Sequence, residues 1–182
     1  MNEVLCVKVC EITGENIDFN GYLYKLITCA AKTDSPFDVL VPVETQLNVD
    51  DIITITKCKL VKLDCEEYVR TAVRVDELQV ADGTAEVSKY FNIPFIGKIK
   101  KQADAKVQKY GPDATKFIKM PLQMKDSGKG NFIVYLLGFD QKADLLNEFE
   151  RFDIIYGTAT LKHKNGKMTY ELAVIDAQKY EE

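Results

Sequence analysis

The tripeptide Asp-Ile-Ile opens two similar stretches of this chain, DIITITKCKLVKLDCEEYVRTAVRVDEL from Asp51 to Leu78 and DIIYGTATLKHKNGKMTYELAVIDAQKY from Asp153 to Tyr180. In each, an acidic residue precedes an apolar strand, a polar turn follows, and a second alternating strand runs to an Asp-containing end. The copies stand about one small domain apart. A hairpin repeated at that spacing implies a small domain used twice, so the 182 residues are expected to divide into units 1–83 and 84–182. The boundary is placed at the Asp82-Gly83 turn signal, and each unit is long enough to bury its own core.

Residue alternation fills both units with strands. In VLCVKVCEI, Leu5, Val7 and Val9 alternate with Cys6, Lys8 and Cys10, the pattern of a half-buried strand. A turn is expected over Thr13 to Asn20, followed by strands at YLYKLITCAA, FDVLVPVE, IITITKCKLVKL and EYVRTAVRV. Pro42 in the third belongs at a sheet edge or bulge. The second unit runs FIGKIKK, a long lysine-rich loop to Thr115, KFIKMPLQMK and FIVYLLGF. A short helix follows at DQKADLLNEFERF, capped by Asp140, with Leu145, Leu146 and Phe149 on one face. The closing hairpin turns at Asn165-Gly166. Five strands, with a helix between the third and fourth of the second set, is the order of an OB-fold, a five-stranded Greek-key barrel. The expected class is mainly all-β, two tandem OB-fold barrels.

Composition narrows the function. Apolar residues make up 46% and charged residues 29%, proportions of a folded chain. No apolar run reaches the ~20 residues of a membrane span, and no basic leader precedes an apolar stretch, so a cytoplasmic protein is expected. The five cysteines, Cys6, Cys10, Cys29, Cys58 and Cys65, include no C-x-x-C pair and read as reduced, mostly buried thiols, not metal ligands. The single histidine, His163, lies in a lysine-rich turn away from any nucleophile. Neither a P-loop nor a G-x-G-x-x-G is present. No enzyme, metal or cofactor is expected.

The net charge of −4 hides an uneven split. Residues 1–83 carry 8 Lys and Arg against 15 Asp and Glu, or −7, while residues 84–182 carry 16 against 13, or +3. A basic second unit joined to an acidic first one suggests an anion bound by the second.

The second unit also resembles the bacterial single-stranded DNA-binding protein family. FIGKIKK is similar to that family's first-strand Ile-Gly-basic signature, KFIKMPLQ to its second strand and FIVYLLGF to its third. ADLLNEFERFDIIYGTATL resembles its helix leading into a Val/Ile-x-Gly-x-Leu fourth strand. The resemblance covers about half of the chain and implies an OB-fold that coats single strands. The chain departs from it in having no Trp and in ending at Glu181-Glu182, where the family carries a long Gly/Pro-rich tail with an acidic tip. The acidic first unit is therefore expected to make the protein contacts. A two-unit form of this kind would suit a phage, plasmid or other mobile element.

Binding single strands requires cations along the phosphates and flat side chains under the bases. In KFIKMPLQMK, alternation sends Ile118, Met120, Leu122 and Met124 inward and Phe117, Lys119, Gln123 and Lys125 outward. The preceding loop offers Lys98, Lys100, Lys101, Lys106, Lys109, Tyr110 and Lys116, and the last hairpin offers Lys162, His163, Lys164 and Lys167. Both faces of FIVYLLGF are apolar, so Phe132 on one side and Tyr135 with Phe139 on the other are the alternatives; Tyr135, whose hydroxyl tolerates water, is favoured. Tyr156 completes the set. In the first unit, Tyr68, Arg70 and Arg74 form a polar-aromatic stripe read as a protein contact.

The function expected is sequence-nonspecific binding of single-stranded DNA, with RNA not distinguished, in replication or recombination. The acidic unit would serve self-association or contact with replication proteins. The alternative is a tandem OB-fold assembly module that binds only proteins.

Overall fold

The computed structural model describes residues 4–64, 69–101, 106–110, 113–126, 130–164 and 167–181. The chain divides into two compact units between Ile93 and Pro94. In unit 1, β1 (Leu5–Phe19), β2 (Tyr22–Ala30), β3 (Phe37–Pro42), β4 (Ile52–Asp64) and β5 (Val69–Val80) form a closed barrel in the order β1-β2-β3-β5-β4. Only β3 and β5 pair in parallel; the other neighbours are antiparallel. That order is the OB-fold topology. Phe19, Leu26, Leu40, Val61, Leu63 and Ala72 pack together inside.

Unit 2 holds β6 (Asn92–Ile99), β7 (Lys106–Tyr110), β8 (Asp113–Asp126), β9 (Gly130–Phe139), α1 (Gln141–Asn147), β10 (Ile154–Lys164) and β11 (Lys167–Lys179). Its sheet runs β6-β10-β11-β9-β8-β7, and β6 also pairs with β8. The ring β6-β8-β9-β11-β10 is thus a second OB barrel, with β7 added at the outside of β8. Ile99, Ile118, Met120, Leu122, Val134, Leu136, Leu161 and Leu172 fill it, and α1 places Ala143 and Leu146 against one end. Among the described residues no helix is long and apolar enough to cross a membrane.

The sequence repeat is a repeated turn. Asp50 and Phe152 both adopt left-handed backbone, with φ of 75° and 78°. The Asp50 N–H donates to the Val9 carbonyl at 2.9 Å, and the Val9 N–H donates back to the Asp51 carbonyl at 2.8 Å. In unit 2 the Phe152 N–H donates to Ile99 and the Ile99 N–H to Asp153, both at 2.9 Å. The Asp51 carboxylate accepts the Asn48 N–H at 2.7 Å, and the Asp153 carboxylate accepts the Glu150 N–H at 2.9 Å. Each network ties the first barrel strand to the start of the fourth, where the ring closes. Local side-chain bonds of this kind are what make Asp a turn residue.

Several expectations are corrected. The turn expected over Thr13 to Asn20 is strand: β1 continues to Phe19 through a bulge, where Gly14 has a φ of 78°. The reversal comes at Asn20-Gly21, both left-handed, with the Gly21 N–H bonded to Asp18 Oδ1 at 3.0 Å. The loop expected from Lys100 to Thr115 contains β7, which hairpins with β8. Asp140 makes no side-chain cap on α1; its carboxylate accepts the Lys116 N–H at 3.2 Å instead. The four described cysteines are free thiols: Cys29 is buried, Cys6, Cys10 and Cys58 are half-buried, and burial pushes up the thiols of Cys29 and Cys58, the latter to about 12, while Cys65 lies outside the described residues. The residues after Gly83 stay with unit 1, because Ser88 bonds the Cys6 backbone in both directions and Phe91 meets Phe37 edge-on at 5.0 Å.

Two outcomes follow for stability. A Cβ on Gly157 would stand 2.1 Å from the Asp176 carbonyl oxygen, whereas one on Gly83 would meet nothing. Gly157→Ala is expected to cost about 2 kcal/mol or more, seen as a lower urea midpoint, and Gly83→Ala to stay within about 0.5 kcal/mol. The Asp153 carboxyl is held below its ordinary value by the hydrogen bond from Lys179, then by that from the Glu150 N–H. Its stabilising contribution is therefore present above the unfolded carboxylate pKa and disappears as pH falls through the lower folded one. Asp153→Asn is expected to lower the urea midpoint at pH 6, with the gap to wild type closing as pH falls towards 3.

Candidate nucleic-acid interface

The outward side of the second barrel is set by register. Buried Ile118, Met120, Leu122 and Met124 turn the alternate residues of β8 outward: Phe117, Lys119, Pro121, Gln123 and Lys125. In β9, Phe132, Val134 and Leu136 are buried, so Ile133, Tyr135 and Phe139 stand on the outer side. The antiparallel pairing sets Phe117 opposite Phe139, Pro121 opposite Tyr135 and Gln123 opposite Ile133. The parallel pairing of β9 with β11 then brings Glu171 beside Tyr135, and β10 brings Lys162 beside Glu171. One row across four strands therefore reads Pro121, Tyr135, Glu171, Lys162.

Aromatic rings and cations meet on this face. The Phe117 and Phe139 rings lie 5.2 Å apart, tilted at 43°; Phe117 is half-buried and Phe139 is 44% exposed. Over the Tyr135 ring stand two ammonium groups, Lys119 Nζ at 4.7 Å and Lys164 Nζ at 4.9 Å from the centroid. Both distances are within cation–π range. Lys119 also ion-pairs with the buried Glu171 carboxylate. At one end, Lys98 of β6 is paired in register with Gln123, and Lys125 lies one outward position further along β8. Lys98, Lys125 and Lys164 have no ion-pair partner among the described residues. From Gln123 to Phe117 the face runs about 20 Å along β8. Such a surface can hold phosphates by charge and unpaired bases by stacking.

This architecture can be compared with solved structures. The wild-type single-stranded DNA-binding protein from Thermus aquaticus matches with a TM-score of 0.67 at 12% identity, over 98% of this chain and 93% of that one. A deletion mutant of the same protein matches with a TM-score of 0.70 at 11% identity, over 98% and 94%. The chain has that tandem OB-fold. The match extends over both units, beyond the half that carries the motif resemblance. No family model matches the sequence, and no curated protein does. At such identities the likeness establishes the fold.

The tandem OB barrel brings some of the sequence-derived residues together and separates others. Lys98, Phe117, Lys119, Lys125, Tyr135, Lys162 and Lys164 lie on the outward side of the β8–β9 region and its flanking strands. Lys100 and Lys101, both exposed, follow directly after β6. Lys116 alternates to the other side of β8 and ion-pairs with Asp144 of α1, so its charge is neutralised at the helix. His163 faces away from Lys162 and Lys164 and meets Tyr170 edge-on at 5.4 Å. Tyr156 is paired with Gln178 on β11, seven residues from Glu171, which is roughly 23 Å at strand rise. There its hydroxyl bonds Gln178 at 2.9 Å, beside Tyr180 and Ile96 in an open groove. The side chains of Lys106, Lys109, Tyr110 and Lys167 lie outside the described residues.

Sequence reasoning missed Glu171 altogether. It occupies an ordinary outward position between buried Tyr170 and Leu172, so nothing local marks it until β11 is known to lie against β9.

In unit 1 the stripe arginines are already engaged. Arg70 pairs with Asp38 at 2.7 Å, and Arg74 pairs with Asp76 at 2.9 Å while lying 5.7 and 5.8 Å from the Phe19 and Tyr24 ring centroids. Tyr68 lies outside the described residues.

Phe117→Ala and Tyr135→Ala are each expected to cost about 1 to 3 kcal/mol of affinity for a single-stranded oligonucleotide. Unchanged circular dichroism and urea midpoints would separate this loss from unfolding. Loss of folding in Phe117→Ala, with no separate effect on affinity, would instead make that ring part of the core.

Proposed function

We propose that this protein binds single-stranded DNA through the outward face of β8, β9 and β11. Lysines neutralise phosphates there, and Tyr135, Phe117 and Phe139 stack on bases. The observation that carries this reading is the convergence of Lys119 and Lys164 on the Tyr135 ring, beside a second aromatic pair on the same barrel side. A stacked base would displace the ammonium groups from the ring, leaving Lys164 free for a flanking phosphate while Lys119 stays paired with Glu171. The fold likeness to the Thermus aquaticus single-stranded DNA-binding protein supports the reading. Most of the affinity would be independent of sequence, because every base offers a π-face. Protection of exposed single strands during replication or recombination is the role such binding would serve.

Unit 1 is proposed to contact proteins, either a second copy or a basic replication partner. Its two stripe arginines are tied to carboxylates, and the excess of 15 Asp and Glu over 8 Lys and Arg in residues 1–83 repels phosphate.

Salt titration tests the main reading. With about five phosphates neutralised, log affinity for an oligo-dT is expected to fall against log salt with a slope near −3 to −4. A chain that binds no oligonucleotide even at low salt would be a protein-binding module instead.

A further inference from the structure

A carboxylate in the middle of a phosphate-binding face weakens that face for phosphate, and Glu171 occupies that position. It lies beside Tyr135 in the β9–β11 register and beside Lys162 in the β10–β11 register. Its residue is 9% exposed, and Lys119, whose ammonium also stands over the Tyr135 ring, pairs with it. The cation that covers the ring is thus the one that holds the carboxylate. A base settling on Tyr135 would have to move that ammonium group off the ring, and its edge would then face Glu171.

We propose, on the reading that this face binds single-stranded DNA, that Glu171 makes the Tyr135 position select bases bearing an exocyclic amino group. An ionised carboxylate only accepts hydrogen bonds, through about four lone-pair sites on two oxygens, and Lys119 occupies one oxygen. Cytosine offers its N4 amino group as a donor, the known partner of Glu and Asp side chains, whereas thymine offers an O4 carbonyl at the same place. Two acceptors facing each other repel, and the N3–H that unpaired thymine also offers lies between two carbonyls, so a carboxylate that reaches it meets the same repulsion. Stacking on Tyr135 treats the two pyrimidines much alike, so the edge contact decides between them.

The test compares short oligo-dC and oligo-dT of one length at neutral pH and one salt concentration. Wild type is expected to bind oligo-dC about fivefold or more tightly than oligo-dT. In Glu171→Gln the ratio is expected to fall to near one, since an amide both donates and accepts. Absolute affinity is expected to rise as Lys119 is released. Lys119→Met, which keeps the carboxylate, is expected to retain the preference, and this variant serves if Glu171→Gln does not fold. Equal binding of the two oligomers by wild type, an unchanged ratio in Glu171→Gln, or a lost preference in Lys119→Met would overturn the assignment of Glu171. Failure of wild type to bind either oligomer at low salt would overturn the single-stranded DNA reading itself, and the assignment with it.

Discussion

Barrel closure depends on a short reversal that each unit builds in the same way. A residue with left-handed backbone, followed by an Asp whose carboxylate caps the preceding turn, places two backbone bonds between the first and fourth strands. The bracket extends the ladder that already pairs Leu5–Lys8 with Ile52–Ile55 in unit 1, and in unit 2 it stands where β6 meets β10. It leaves neither first strand with an open edge there, and unpaired strand edges attract other chains. With the ring closed, the apolar alternation of its strands is committed to one interior.

The outward face of the second barrel then follows with little freedom. Strand alternation has a period of two, so burying Met120 and Leu122 forces Lys119, Pro121 and Gln123 outward. What alternation alone cannot provide is the neighbour across the sheet. Tyr135 acquires its cations because β8 places Lys119 near it on one side and the β10–β11 hairpin brings Lys164 from the other. Glu171 reaches the same place because the β9–β11 pairing is parallel, so that residues far apart in sequence share a row.

The two units use the same topology with opposite electrostatics. In unit 1, arginines are spent on internal pairs: Arg70 with Asp38, both largely buried, and Arg74 with Asp76. In unit 2, several lysines of the β8–β9 side keep no acidic partner among the described residues, while Lys116 and Lys179 are taken up by Asp144 and Asp153. The difference between a charge that is present and one that is available is larger than the regional sums suggest. A surface ion pair is worth little to stability, yet it removes a cation from service to a ligand.

Much of this was legible in the residues themselves. The Asp-Ile-Ile repeat, the alternation of Ile118 through Met124 and the buried helix position Leu146 each reflect a local periodicity, although the helix stops at Asn147 and Phe149 of the expected face lies beyond it; local periodicity survives without knowledge of the partner strand. The long β1, the β7 hairpin and the true position of Tyr156 were not legible. Gly14 marks a bulge or a turn equally well, the segment before Thr115 alternates only weakly, and Tyr156 is separated from Lys162 by the length of one strand. The sequence by itself determined two β-units of opposite charge and which side of β8 is core, because those depend on spacing along one chain. Only the tertiary structure decided which rings meet which cations and that Glu171 stands among them, because register between distant strands is set by barrel closure and not by any one strand.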